Sequence, residues 1–273
     1  MTISDRKEVT TLATRYYRSK LSTRLQKAYD ILVNGVRNFQ SEIIFPPDIS
    51  DRDISNLHWA IDNDYPEFFY IKNVYTYRNV SKAKIEYYVS QKDGKKILHG
   101  MEAVAAKLLN RCKGKSDFET AVFLHDYLAE HISYDKNQGN HSYKLSYQKN
   151  HNILGLTFHE TVCEGFSKLY LYLLDRANIP ALVVVGNTTA PGEKIDHAWN
   201  MVGLKNGSQI KYYYVDVTWN SNGCGNPSKW DYFLLSEYDM FKKNHFPCKK
   251  YPLPKAEQSM PLNRSAKCIS MPG

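Results

Sequence analysis

Three side chains in the second half of the sequence carry the parts of an activated thiol: Cys163, His197 and Asp216, in that chain order. A thiol becomes a strong nucleophile once it loses its proton, and an imidazole beside it takes that proton. A carboxylate on the far side of the ring fixes its tautomer and stabilises its protonated form. Taken singly, each residue has a plainer reading: a small buried cysteine opening a core helix, a satisfied histidine on a strand, a polar group near a strand end. Their joint occurrence, on elements this chemistry requires, favours the catalytic reading.

Those elements are legible around them. From Cys163 onward, Phe166, Leu169, Tyr170, Leu173, Leu174 and Ala177 recur at helical spacing and predict one buried stripe. Asn178 suits a left-handed cap and Pro180 cannot continue the helix. No Ser, Thr, Asp or Asn directly precedes Cys163; Thr161 is two back. The thiol is thus expected at or near the N-cap, where unpaired N–H groups favour a thiolate. Ala181–Gly186 follows as an apolar strand, then a polar loop from Asn187 to Lys194. Two strand-like runs, Ile195–Leu204 and Ile210–Trp219, flank Asn206-Gly207, a two-residue hairpin signal. That register predicts His197 directly opposite Asp216, with Cβ atoms about 5 Å apart. A slip of one residue would separate them, whereas a shift of two keeps both on one face.

Thr161–Gly165, His197-Ala198-Trp199-Asn200 and Val215-Asp216-Val217-Thr218-Trp219 resemble the signature blocks of the transglutaminase-like superfamily, thiol enzymes with a papain-like core. The resemblance runs from about Phe118 to Phe246, and includes Ile132–Asp135 and Trp230–Phe233. It is similar above all to bacterial members, through Leu21–Tyr29 and Asp64–Phe69 in the N-terminal region. It implies Cys163 as nucleophile, His197 as general base and acid, and Asp216 as the orienting carboxylate. The fold expected is α+β, with the nucleophile helix packed on an antiparallel sheet and an N-terminal α/β extension before it. The chain departs from the usual pattern in carrying His159-Glu160-Thr161 where relatives place a small residue or glycine.

The chemistry expected is acyl transfer on amide bonds of a protein or peptide through a thioacyl intermediate, with backbone N–H groups holding the oxyanion. Tyr147, Gln148, His151 and Asn152 are all candidates for a side-chain donor, and Trp199 and Trp219 for cleft walls or core. No D-x-[DN]-x-[DN]-G calcium loop is present, and no cofactor is called for. Water is the simpler acceptor, so hydrolysis, a peptidase reaction, is expected over amine-acceptor cross-linking. The alternatives are a cross-linking transglutaminase and a non-catalytic binding module that keeps the fold.

Composition sets the rest. The net charge of +8, from 36 Lys+Arg against 28 Asp+Glu, is spread along 273 residues without a basic block, which argues against nucleic acid as a partner. Five cysteines without a C-x-x-C pair suggest neither a zinc ribbon nor a disulfide scaffold; Cys112, Cys224, Cys248 and Cys268 are left either paired or free. His151, His159 and Cys163 invite a zinc reading, but H-E-x-x-C differs from H-E-x-x-H and precedes the helix. The sequence opens on no apolar run and contains no long one. A cytoplasmic location is expected of the chain as written, and a secreted or surface one if it is trimmed from a longer protein.

Along the chain, helices are expected from Thr23, capped by Thr23 with Gln26, from Ser50, over Met101–Cys112 and from Ser116 with Glu119. Strands are expected over Phe68–Tyr77 and Lys84–Ser90, with a turn at Asp93-Gly94. Asp135–Lys149 reads as a mobile loop bordering the cleft, Asn222–Pro227 as a second loop, and Trp230–Leu235 as a last strand before a Ser236-capped helix. The organisation expected is residues 1–115 as an N-terminal region, 116–246 as the catalytic core and 247–273 as a Pro-containing tail.

Overall fold

The protein is described by a computed structural model covering residues 15–136, 150–190, 192–221 and 230–262. Expectations for the loops at 137–149 and 222–229, and for Cys224 and Cys268, fall outside the described residues. The fold is α+β.

Its centre is a five-stranded antiparallel sheet in the order β10-β6-β7-β8-β9: β6 Ala181–Ala190, β7 Glu193–Asn206, β8 Gln209–Val215, β9 Phe233–Leu235 and β10 Phe246–Pro247. The Cys163–Arg176 helix lies on β6 and β7, with the Asp117–His131 helix alongside it. Asn178 has the left-handed φ of 59° that ends the Cys163 helix. The expectation of one buried stripe proved too narrow: Phe166 through Leu174 are all buried. The sheet covers one face, the Gln91–Asn110 helix of the N-terminal region packs over another, and Asp62 of the Asp51–Asp64 helix reaches in to Lys168. Even Lys168 is buried there, its ammonium placed between Asp62 Oδ1 at 2.8 Å and Glu164 Oε1 at 2.7 Å.

The N-terminal region builds its own three-stranded sheet in the order β1-β3-β2, from β1 Glu42–Ile44, β2 Ile71–Tyr77 and β3 Val80–Tyr87. Local differences from expectation have simple causes. Pro66–Phe68 form a short 3-10 turn, so β2 begins only at Ile71. Ser22, not Thr23, caps the Thr23–Arg37 helix, accepting from Leu25 N. Asp93-Gly94 is not a turn. Ser90 caps a helix from Gln91 to Asn110, Asp93 supplies its N–H to the Ser90 hydroxyl, and Gly94 admits the Phe39 ring, which a Cβ would meet at 2.7 Å.

The tail wraps the body. Ala256 and Ser259 bond to Glu237 and Ser236, Tyr16 donates its hydroxyl to Pro252 O at 2.8 Å, and Tyr251 stacks on Trp59. Buried apolar residues from Tyr17 to Ala256 form one continuous cluster. Cys112, Cys163 and Cys248 are free thiols. No helix among the described residues is long and apolar enough to cross a membrane.

Candidate active site

Cys163 is the first residue of its helix and is partly exposed. The N-cap is Val162 in an extended conformation, and no side chain caps the helix. The first N–H groups of a helix have no carbonyl within it to bond, so this end presents donors beside the thiol. The chain reaches the helix along a tightly held path. Thr161 Oγ1 donates to Asn150 O at 2.8 Å, and Val162 N donates to the same carbonyl at 2.9 Å. Gly165 is required here, because a Cβ would run into Thr161 Oγ1 and the Asn150 carbonyl.

His197 comes from β7, and Asp216 sits one residue past the end of β8. The hairpin turn is Gly207-Ser208, with Gly207 at φ 62°, and Asn206 pairs with Gln209. The register is therefore two residues away from the expected one, and Asn200 faces Val215. Because side chains alternate with a period of two, this shift keeps His197 and Asp216 on one side. Asp216 leaves the strand to cap the short Val217–Asn220 helix, its Oδ1 accepting from Trp219 N at 3.1 Å. Its Oδ2 accepts from His197 Nε2 at 2.7 Å.

With Nε2 held by Asp216, the interaction of the ring with the Cys163 thiol falls to Nδ1. Burial pushes the His197 pKa down, but the Asp216 carboxylate and then Cys163 outweigh it and raise it to about 10. Burial opposes ionisation of Asp216 too, yet His197 and His245 hold its carboxyl far below the usual carboxylate range. The structure therefore brings all three predicted residues into one connected group.

Sequence reasoning missed His245. It lies just before β10, fully buried, with Nε2 at 2.9 Å from Asp216 Oδ2. A lone histidine after a short helix carries no spacing signal that would relate it to Asp216. The surroundings are aromatic. Trp199 is core and stacks on His197 at 5.6 Å, while half-buried Trp219 stands edge-on at 6.3 Å. Behind Asp216, Asn220 donates to His125 Nε2 at 3.0 Å and accepts from Tyr232 N at 3.0 Å. His125 is thus a structural prop.

Glu164, next to the thiol, turns into a 380 Å³ cavity walled partly by His58, Asp62 and Phe69 of the N-terminal region. Burial would raise the pKa of Glu164, but Lys168 and His151 pull it down to about 2. Of the candidate side-chain donors, His151 gives one ring nitrogen to Glu164 at 2.9 Å and Asn152 accepts from Leu154 N at 2.8 Å. Tyr147 and Gln148 lie outside the described residues.

Among the described residues, only His197, Asp216 and His245 place three potential metal-binding atoms within 4.8 Å of one another. Both imidazole nitrogens stand at hydrogen-bonding distance from a single oxygen, so a cation would have to push both rings back. His159 sits at φ 56° ahead of the helix, and His151, His159 and Cys163 form no such group.

Residues 102–217 match the family model of the transglutaminase-like superfamily. Among curated proteins there is no match. Three solved structures are similar to part of the chain. A transglutaminase ("TGase") is 20% identical over 54% of this chain and 43% of its own, with a TM-score of 0.36. A putative cysteine protease from Cytophaga hutchinsonii is 17% identical over 44% and 37%, with a TM-score of 0.32. The periplasmic domain of TgpA from Pseudomonas aeruginosa is 18% identical over 44% and 42%, also with a TM-score of 0.32. The chain thus spans less than half the length of each.

Proposed function

We propose that this protein is a cysteine-dependent acyl-transfer enzyme that hydrolyses amide bonds of protein or peptide substrates through Cys163, His197 and Asp216. The observation that carries the reading is the connected group itself: a partly exposed thiol on an uncapped helix, an imidazole beside it, and a buried carboxylate 2.7 Å behind the ring.

In this reading the Cys163 sulfur attacks the substrate carbonyl, and the electron pair moves to the carbonyl oxygen. Backbone N–H groups at the start of the helix receive that oxyanion. A ring that keeps its proton up to about pH 10 is charged at neutral pH, so His197 Nδ1 is ready to protonate the departing amine. A thioester remains on Cys163. Water then attacks it, His197 Nδ1 takes the proton from the water, and the C–S bond breaks to release a carboxylic acid. Asp216 stays ionised throughout and stabilises the imidazolium. Residues 116–246 form the proposed catalytic unit, and residues 1–115 bring Asp62 and Phe69 to the cavity beside Glu164.

The test is mass spectrometry of a peptide library incubated with the protein, with and without a primary amine. Cleaved peptides in both samples, absent with Cys163→Ala, are expected. Amine adducts without cleavage would replace the hydrolase by a cross-linking transglutaminase. No Cys163-dependent product of either kind would leave a binding module.

A further inference from the structure

His245 takes no part in the steps above, yet it reaches the same Asp216 oxygen that His197 does. Its Nδ1 lies 2.8 Å from the Lys243 carbonyl and its Nε2 lies 2.9 Å from Asp216 Oδ2. A carbonyl and a carboxylate can only accept, so both contacts are hydrogen bonds only if both ring nitrogens carry hydrogen. The ring is sealed by Trp199 at 5.1 Å, Trp219 at 5.8 Å and Tyr232 at 5.4 Å, with His197 itself at 5.4 Å.

We propose that His245 is a positioning residue: it locks the Asp216 carboxylate in place and takes up part of its charge, and so sets how tightly His197 holds its proton. This deepens the reading of Cys163, His197 and Asp216 as the reacting group and rests on it.

The argument is one of sharing. Asp216 Oδ2 serves two imidazoles, and Oδ1 serves the Trp219 N–H, so the carboxylate has no freedom to rotate away from His197. The same sharing limits what His197 receives. A carboxylate bonded to His197 alone would pull its proton harder, because the hydrogen bond from His245 withdraws negative charge from the same oxygen. The other titratable and charged groups around this pair are Cys163 from its helix, Tyr232 and Asp231 from the segment before β9, and Lys243, whose ammonium lies over the Tyr232 ring at 4.5 Å. Asp216 is the one that both imidazoles touch. The device would keep a general acid that also has to serve as a base from becoming too reluctant to give up its proton.

Nitrogen-15 NMR of the full chain with labelled histidine measures this directly. In the unmodified protein, His245 is expected to show a hydrogen-bonded N–H at Nε2, the nitrogen that faces Asp216. His245→Gln retains a donor and His245→Leu does not. The titration midpoint of His197 is expected to rise in both, by about one pH unit in the leucine variant, a tenfold gain in proton affinity, and by less in the glutamine variant. The alkaline limb of Cys163 alkylation by iodoacetamide is expected to move with it. A histidine that only fills space would change the melting temperature and leave the His197 midpoint where it was; that result, or the lack of a hydrogen-bonded N–H at His245 Nε2 in the unmodified protein, overturns the proposal. The unmodified-protein measurement stands even where a variant fails to fold. A Cys163 that alkylates no faster than a free thiol in the unmodified protein would instead count against the catalytic reading, whatever the His197 midpoint does.

Discussion

Two helices packed side by side in this protein begin in opposite ways. The Asp117–His131 helix opens on a closed capping box: Ser116 Oγ accepts from Glu119 N, and Glu119 Oε2 accepts from Ser116 N at 2.8 Å. The Cys163–Arg176 helix opens on Val162, with no side chain over its first N–H groups. Among the described residues, the other long helices also begin on a serine whose side chain accepts a first-turn N–H: Ser22, Ser50 and Ser90, with Ser50 closing a box as well. A serine cap contributes about 1 kcal/mol, so leaving it out costs stability. The omission falls on the helix that starts with the thiol. The capped ends hold the scaffold, and in the proposed reading the bare end keeps its donors for the substrate oxyanion.

The sharpest test of that contrast removes the thiol. Cys163→Ala changes one side chain at the bare end and is expected to reduce acyl transfer by at least about 10³-fold. The melting temperature should stay nearly unchanged, because the site is partly exposed. Substantial activity in this variant would mean that the bare end has no chemical purpose. Asp216→Asn comes next, at about 10²–10⁴-fold in rate. It differs in also lowering stability, since two imidazoles lose a charged acceptor in the interior.

A third variant asks whether the uncapped N–H groups themselves matter. Val162 already has the extended backbone of an N-cap residue, and Val162→Thr adds a hydroxyl at nearly constant shape. The hydroxyl would take an N–H that the oxyanion is proposed to use. Hydrolysis of a peptide or ester is expected to fall by about 10–100-fold. Alkylation of Cys163 by iodoacetamide generates no oxyanion and should be unaffected. Equal loss in both reactions would point to a displaced thiol rather than a filled donor.

The contrast was half legible in the sequence. Ser50 with Asp53 and Ser116 with Glu119 have box spacing, and both boxes form. The bare end was legible as well, because nothing before Cys163 could cap it. What sequence reasoning misjudged depended on tertiary context. The hairpin register moved by two because the turn settled on Gly207-Ser208, yet the period of two kept His197 and Asp216 together. Phe39, distant in sequence, needs the space at Gly94 that local reasoning assigned to a turn. The burial of Lys168 required knowing that Asp62 would arrive from the N-terminal region. His245 had no local signal, because its partner is 29 residues away and no periodicity links the two.

A pH experiment separates the two kinds of helix end by their electrostatics. The folded-state pKa of His197 is raised from 6.5 to about 10, so it contributes stability that is fully present below about pH 6.5 and is lost as pH rises through about 10. Glu164 runs the other way: with its folded pKa lowered from 4.5 to about 2, its contribution is present above about pH 4.5 and fades as pH falls through about 2. The Cys163 end of the molecule is therefore expected to weaken at both extremes. Melting temperatures taken from pH 7 to 10 should fall in the unmodified protein and stay flatter in His197→Gln. The same slope in both would remove His197 as the source.

The smallest expected effect lies at the capped end. Ser116→Ala leaves Glu119 without its hydroxyl partner and one N–H of the first turn unpaired, at a cost of about 1 kcal/mol. For a chain of this size that is a fall of roughly 2–4 °C in melting temperature. The Asp117–His131 helix also carries Ala121, whose carbonyl accepts from the Tyr170 hydroxyl of the Cys163 helix at 2.9 Å, so the two helices are mechanically joined. If the capped end only holds the scaffold, the rate of Cys163 alkylation and its pH dependence should be the same in Ser116→Ala as in the unmodified protein. A change in that rate at constant fold would show the two ends to be coupled, with the cap of one helix helping to aim the thiol at the start of the other.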